Sequence, residues 1–134
     1  MPSRAEILKT IDGVYACRMR GDKPGVAAYF SPQATFRIAG DSGLMPKMAS
    51  SGGHEAMPTI EGLIDDFQFQ KMERLNAIVE GDQAAVHWKV ILSHHGGAPI
   101  TTEFCDFWTI GDDGKATSLL QFVDTALAAS LTGA

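Results

Sequence analysis

The sequence lacks the features that mark membrane, secreted and nucleic-acid-binding proteins. No apolar run approaches the roughly 18 residues of a membrane span, and the opening MPSRAEILKTIDG has no apolar stretch of the signal-peptide kind. Lysine and arginine number 11 against 16 acidic residues, which gives a net charge of −5, and they form no basic stripe. We therefore expect a cytoplasmic protein that has neither a membrane nor a nucleic acid as partner.

Cysteines and the motifs of cofactor sites are also scarce. Cys17 and Cys105 lie far apart without C-x-x-C spacing, so we interpret both as small buried side chains. His94 and His95 are adjacent and would point to opposite sides of a strand, which does not make a metal pair. Because no dinucleotide-binding, phosphate-binding or zinc-protease motif occurs, we expect neither a cofactor nor a metal.

The chain has the length and composition of one globular domain over residues 1–134, with 45% hydrophobic residues. Its first half predicts helices. A capping-box pattern from Ser3 to Glu6, followed by helical apolar spacing, predicts a first helix over about 4–20. A second short helix should end at Ser31-Pro32, and a third should begin near Pro58, after a strand over 34–39.

The second half predicts strands. Turn residues divide it into four long antiparallel strands near 69–79, 84–94, 100–110 and 116–125. Before them, the glycine- and serine-rich segment from Gly40 to Gly53 predicts a mobile loop, in which Met45 and Met48 could adapt to an apolar ligand. Helices first and a meander of strands afterwards indicate an α+β domain, with helices packed on one face of a curved sheet.

Several short motifs follow one another in a recognisable order. They are Tyr15, Gly21-Asp22, the run from Tyr29 to Phe36, the run from Gly53 to Met57, Gly81-Asp82, Glu103 to Asp106, Asp113 to Lys115, and Phe122 to Asp124. This order resembles the nuclear transport factor two-like superfamily, and within it the branch of ketosteroid isomerases and SnoaL-type polyketide cyclases. The resemblance implies a cone-shaped, curved antiparallel sheet, three N-terminal helices packed on its concave face, an apolar pocket between them, and a homodimer formed through the convex face.

The same resemblance implies candidate catalytic residues. Tyr15 falls near the oxyanion-hole tyrosine of the isomerases, and Asp106 falls on their protonated oxyanion-hole aspartate. Their general-base position is Ile38 here, and Asp41 is three residues away. Ordinary steroid isomerisation is therefore not expected.

Asp124 resembles the aspartate that SnoaL-type cyclases carry near the end of the last strand. Related epoxide hydrolases place an arginine where Phe104 stands in this chain, so epoxide opening is not favoured.

The turn at 112–114 decides whether the two aspartates share a face. A three-residue loop would place Asp106 opposite Leu120 and would send Asp106 and Asp124 to the same side, roughly 13 Å apart. There they could bracket a substrate as acid and base. A four-residue loop would shift the pairing by one and send Asp124 to the other side. Alternatively, Asp124 caps the sheet in solvent and Asp106 is a hydrogen-bonded buried acid.

His87 is a further candidate, and two arguments about its direction conflict. Its position in the family pattern directs it into the pocket with Lys89, whereas hydrophobic alternation would direct Val86, Trp88 and Val90 inward. We predict that His87 faces the pocket, because a dimer would bury the Val/Trp face against its partner.

The leading functional hypothesis is a pocket for a small, largely apolar molecule, with general acid–base chemistry of the isomerase, cyclase or hydrolase kind. The candidate catalytic residues are Tyr15, His87, Asp106 and Asp124. An aromatic residue on a helix's apolar stripe is also compatible with a plain core role. Two alternatives stay open: a non-catalytic binding protein on the same scaffold, and a dimerising interaction module whose pocket is filled by side chains.

Overall fold

In residues 2–40 and 55–133, the part of the chain that the computed structural model describes, four helices and five strands are present. In chain order they are α1 (Arg4–Met19), α2 (Lys23–Ala27), β1 (Phe30–Ile38), α3 (Ala56–Asp66), β2 (Phe67–Glu80), β3 (Gln83–His94), β4 (Ile100–Ile110), β5 (Ala116–Phe122) and α4 (Thr125–Thr132). Within these ranges no helix is long and apolar enough to cross a membrane.

The five strands form one mixed sheet in the order β1-β5-β4-β3-β2, so that β4 is its central strand. The four strands from β2 to β5 pair antiparallel, as predicted, but β1 lies parallel to β5. The expected fully antiparallel sheet is therefore wrong at this edge. Parallel pairing needs a long crossover connection, and the chain between β1 and β5 supplies one.

The predicted set of three N-terminal helices is only partly right. Two helices precede the first strand, and α3 follows it. The second helix was expected to include Phe30 and to end at Ser31-Pro32, but α2 ends at Ala27 and β1 already begins at Phe30. A proline is tolerated here because β1 is an edge strand, and its pairing with β5 is irregular between Phe30 and Thr35.

The last strand, predicted over 116–125, ends at Phe122, and a fourth helix that the sequence analysis did not predict, α4, follows over Thr125–Thr132. It begins because the Asp124 side chain accepts a hydrogen bond from the Leu127 backbone N–H at 3.0 Å, and it ends at Gly133, whose φ is 75°. A capping aspartate before an alanine-rich segment and a glycine after it are ordinary helix signals. These helix signals were missed because the residues before Asp124 form a strand-like run.

The sheet has two faces of different character. On β3 and β4 the even-numbered side chains, among them Val86, Trp88 and Trp108, are buried toward the helices; we call this the inner face. His87 and Lys89 lie on the opposite, outer face, and His87 Nε2 is 2.6 Å from Glu103 Oε1. The prediction that His87 faces the pocket is wrong, because burial of the large apolar side chains determined the direction of the strand.

The turn between β4 and β5 is the three-residue loop, one of the two loop lengths that the sequence left open. The Gly111 N–H donates to the Lys115 carbonyl oxygen at 2.8 Å, and Gly114 adopts a φ of 80°, a left-handed conformation that glycine adopts readily. The start of the hairpin thus follows the three-residue alternative.

The register nevertheless slips one pair further along this hairpin. Ile110 pairs with Ala116, but Thr109 pairs with Ser118, so one extra residue is accommodated on β5. Every later side chain of β5 consequently changes face, and Asp106 lies opposite Gln121 instead of Leu120. The expectation that Leu120 and Phe122 share the face of Asp106 is wrong. Leu119 and Gln121 are buried there instead, and Phe122 is exposed.

The cap at Asp124 yields a stability prediction. Asp124→Ala should lower the free energy of unfolding by about 1 kcal/mol, because the first turn of α4 loses its side-chain acceptor. Asp124→Asn should stay close to wild type, since an amide oxygen also caps. Urea denaturation measures both variants, with Asp82→Ala, at an exposed turn position, as the control. Full stability of Asp124→Ala would contradict the capping role.

Candidate active site

A cavity lies between helices α1, α3 and α4 and the inner face of the sheet. Its volume is about 80 Å³. Most of the wall is apolar; Val14, Phe36, Leu63, Phe104, Leu119 and Leu127 are representative. The polar or charged lining residues are Tyr15, Arg18, Thr102, Gln121 and Asp124.

Asp106 lies directly behind this wall. It is wholly buried on the central strand and does not itself line the cavity. Its Oδ2 accepts hydrogen bonds from the Tyr15 hydroxyl, from Trp88 Nε1 at 3.1 Å and from Trp108 Nε1 at 3.3 Å. Its Oδ1 accepts one from Gln121 Nε2 at 3.1 Å. Four donors therefore surround a carboxyl group that has no water contact.

Tyr15 connects Asp106 with the cavity. It sits on the buried stripe of α1, and its ring packs edge-on against Trp88 (centroids 4.9 Å apart) and Trp108 (6.0 Å). The hydroxyl donates to Asp106 and accepts from Gln121 Nε2 at 3.1 Å. Because Tyr15 lines the cavity and Asp106 does not, Tyr15 is the member of this pair that a ligand can touch.

Burial shifts the pKa values of both groups upward. Desolvation raises the pKa of Asp106 to about 6, and the hydrogen bonds from Tyr15, Gln121, Trp108 and Trp88 oppose this shift by stabilising the carboxylate. Burial, and then the neighbouring Asp106 charge, raise the pKa of Tyr15 well above its usual value. Near neutral pH Tyr15 is therefore protonated, while Asp106 titrates within the physiological range.

The protonation state of Asp106 controls the direction of the Tyr15 hydrogen. The ionised carboxylate can only accept, so Tyr15 must donate to it. Once Asp106 is protonated, its own hydroxyl can donate to Tyr15, which frees the Tyr15 hydrogen for another acceptor. The pair is thus able to take up or deliver one proton at the cavity wall.

The remaining predicted site residues do not join this pair. Asp124 lies at the exposed rim of the cavity, where its carboxylate caps α4. His87 is on the outer face of the sheet and contacts Glu103. Asp41, and the part of the predicted mobile loop that carries Met45 and Met48, fall in 41–54, outside the described residues.

Two polar residues of the cavity wall were missed by the sequence analysis. Gln121 would have been found from the alternative register, in which every side chain of β5 shifts by one position. Arg18 follows Ile11 by seven residues and Tyr15 by three, so helical spacing already places it on the buried stripe of α1. Arg18 was not assigned to the buried stripe because charged residues are expected on the exposed side of a helix.

Neither cysteine is paired, and Cys17 is buried whereas Cys105 is half-buried. In the described part of the chain no group of three or more His, Cys, Asp or Glu side chains is placed to hold a metal ion.

Comparison with known proteins identifies the family of the chain. A family model described as SnoaL-like domain matches residues 11–119. Among proteins with a curated description, none matches.

Solved structures resemble the whole chain at low sequence identity. An NTF2-like protein of unknown function from Burkholderia pseudomallei has a TM-score of 0.75 and 22% identity, over 96% of this chain and 98% of its own. TerC, co-crystallised with polyporic acid, has a TM-score of 0.75 and 20% identity, over 96% and 99%. An LEH-like epoxide hydrolase from M. tuberculosis has a TM-score of 0.71 and 12% identity, over 98% and 92%. At these identities the likeness shows the fold alone.

The raised pKa of Asp106 predicts a pH dependence of stability. Between about pH 4 and pH 6 the unfolded chain releases this proton while the folded chain retains it. Stability contributed by protonated Asp106 is therefore complete below pH 4 and is lost as the pH rises through 6. The loss should be roughly 3 kcal/mol, at about 1.4 kcal/mol per pKa unit.

Denaturation of wild type and Asp106→Asn across this range isolates the effect, because the asparagine does not titrate. The unfolding free energy of wild type minus that of Asp106→Asn should fall from pH 4 to 6 and be constant above pH 7. A difference that is constant throughout, or that rises with pH, would contradict the raised pKa.

Proposed function

The chain belongs to the SnoaL-like domain family, and from this premise we propose that it binds a small, largely apolar molecule in its cavity and transfers a proton to or from it. The reaction would be general acid–base catalysis of the isomerase, cyclase or hydrolase kind. One observation carries the proposal: the hydrogen bond between Tyr15, which lines an apolar cavity, and the wholly buried Asp106 behind it.

Tyr15 is proposed as the group that contacts the substrate, with Asp106 as its proton partner. With Asp106 ionised, Tyr15 accepts a proton from the substrate as its own hydrogen passes to the carboxylate. The substrate then carries one more negative charge, Asp106 is neutral, and Tyr15 is unchanged. The reverse transfer returns the proton to the same or another atom of the substrate, which is the proton shift that an isomerisation needs.

Positioning supports this role. Two indole rings hold the Tyr15 ring by edge contacts, and Gln121 fixes its oxygen, so the group is ordered before a ligand arrives. The pKa of about 6 for Asp106 lies near the value at which an acid–base catalyst works best around neutral pH. Structures of the same fold include an epoxide hydrolase and TerC with polyporic acid, which supports a small organic ligand.

A second candidate is a binding protein without catalysis. Asp106 has all its hydrogen bonds inside the protein and does not line the cavity. A buried carboxyl group with four donors inside the protein holds α1 and the strands of the inner face together, and this role needs no catalysis.

The two candidates are separated by an exchange experiment that needs no knowledge of the natural substrate. Small cyclic and aromatic ketones are incubated with the protein in D₂O, and NMR measures the replacement of hydrogens next to the carbonyl group. Wild type should accelerate exchange for some of them. Tyr15→Phe and Asp106→Asn should each lower the rate by about a hundredfold or more, since both break the proton path. Asp106→Ala should also weaken ligand binding, because it leaves the Tyr15 hydroxyl without its acceptor.

Tyr29→Phe and Asp82→Asn are the matched controls, since neither residue lines the cavity. Undiminished exchange in Tyr15→Phe would overturn the proposed role of Tyr15. If Asp106→Asn keeps most of the activity and Asp106→Ala does not, Asp106 acts as a hydrogen-bonding partner rather than as the proton carrier. Ligand binding without any exchange by wild type would favour the non-catalytic candidate.

We also propose that the chain forms a homodimer through the outer face of the sheet. Phe107 and Phe122 are 47% and 44% exposed there, with ring centroids 5.6 Å apart, and the nearby Ile78 is 63% exposed. Aromatic side chains clustered on an open face are typical of a protein interface. The family resemblance implies a dimer of this kind.

Light scattering at tens of micromolar tests this proposal. Wild type should have twice the monomer mass of 14.3 kDa. Phe107→Lys should shift the protein toward the monomer, because a buried unpaired charge opposes association. Ala5→Lys, on exposed helix surface, is the charge-matched control. A monomeric wild type, or a Phe107→Lys variant that stays dimeric, would overturn the proposal.

A further inference from the structure

Arg18 is a buried cation in the wall of the cavity. It lies one helical turn after Tyr15 on α1 and is only 6% exposed. Its Nη2 donates to the carbonyl oxygens of Leu63 at 3.0 Å and Phe67 at 2.6 Å, and its guanidinium carbon lies 3.8 Å from the ring centroid of Phe69. The two hydrogen bonds satisfy carbonyl oxygens at the C-terminal end of α3, and they involve only one of the three guanidinium nitrogens.

The other two nitrogens, Nη1 and Nε, have no acceptor among the described residues. Arg18 lines the cavity, so the cavity is the place where a ligand could supply an acceptor to these nitrogens. No described carboxylate forms an ion pair with Arg18.

Arg18 keeps its charge in this setting. Burial lowers its pKa to about 10, which still leaves the guanidinium protonated at neutral pH. Two carbonyl dipoles and one aromatic face are neutral partners, so they compensate the burial of the charge only in part. An anionic group in the cavity would complete the compensation with a charge-assisted hydrogen bond.

We propose that Arg18 anchors an acidic oxygen of the ligand, so that the ligand class is a small apolar molecule that carries one carboxylate, enolate or similar anionic oxygen. The inference rests on the proposed function of the cavity as a ligand site and narrows its substrate class. The apolar wall selects the hydrocarbon part of the molecule, and the single cation selects the anionic oxygen.

The charge balance of proton transfer agrees with this assignment. When a substrate proton passes through Tyr15 to the Asp106 carboxylate, the negative charge moves from Asp106 to the substrate and the total stays constant. Arg18, in the same cavity wall, is the group that can stabilise the charge in its new position.

A matched ligand pair provides the test. Phenylacetic acid and 2-phenylethanol share the ring and the chain length and differ in the charged oxygen group. NMR titration of the protein at neutral pH gives both dissociation constants. Wild type should bind the acid at least about tenfold more tightly than the alcohol, as one charge-assisted hydrogen bond predicts. The Arg18 Nε–H resonance should shift with the acid and stay in place with the alcohol, which tests the contact in the unmodified protein.

Variants then assign the preference to Arg18. Arg18→Gln should lose the preference for the acid and keep the affinity for the alcohol, which also reports that the cavity is still formed. Arg18→Lys should keep part of the preference. Arg20→Gln, an exposed arginine two residues further along, is the matched control and should behave as wild type.

The outcomes separate this inference from the proposed function. Binding of both compounds without preference, an unmoved Arg18 resonance, or an undiminished preference in Arg18→Gln would each overturn the role of Arg18 and leave the cavity as a ligand site. Binding of neither compound by wild type would overturn the assignment of Arg18 together with the ligand site.

Discussion

The hydrogen bond from the Tyr15 hydroxyl to Asp106 is the interaction on which the arrangement of the site depends. It joins α1 to the central strand across 91 positions of sequence. A buried acid without donors would cost several kcal/mol, so the fold requires Tyr15, Gln121 and two indoles to converge on Asp106. That convergence fixes how α1 lies on the sheet, and it holds Tyr15 in the wall of the cavity.

Two ionisable groups of opposite kind lie at the apolar cavity, Arg18 in its wall and Asp106 behind it. Asp106 is an acid whose ionisation is disfavoured by burial, and Arg18 is a cation whose charge survives burial. Neither has a charged partner among the described residues. A ligand that gives up a proton would neutralise Asp106, and the negative charge it then holds would pair with Arg18. The proposed chemistry and the proposed ligand class are linked in this way.

Much of the fold followed from the sequence, because hydrophobic periodicity and turn residues are local signals. The capping box at Ser3 and the four antiparallel strands were found in this way, and Asp106 and Tyr15 were named from the family pattern. The extra residue near Thr117 was not found, since a bulge depends on packing between strands and not on local preference. That single slip determined the face of Gln121. The side-chain direction of His87 was predicted wrongly, because the family resemblance was given more weight than the burial of Val86 and Trp88. Burial of these large apolar side chains is the stronger physical effect.

The central claim is that Asp106 is an acid with a raised pKa that shares its proton with Tyr15, and one titration tests it most directly. The carbon resonance of the Asp106 carboxyl group can be followed by NMR as a function of pH in wild type and in Tyr15→Phe. The account predicts a wild-type midpoint near pH 6, and a higher midpoint in the variant, because the Tyr15 hydroxyl stabilises the carboxylate. A midpoint near the ordinary aspartate value of about 4, or one that is the same in both proteins, would contradict it.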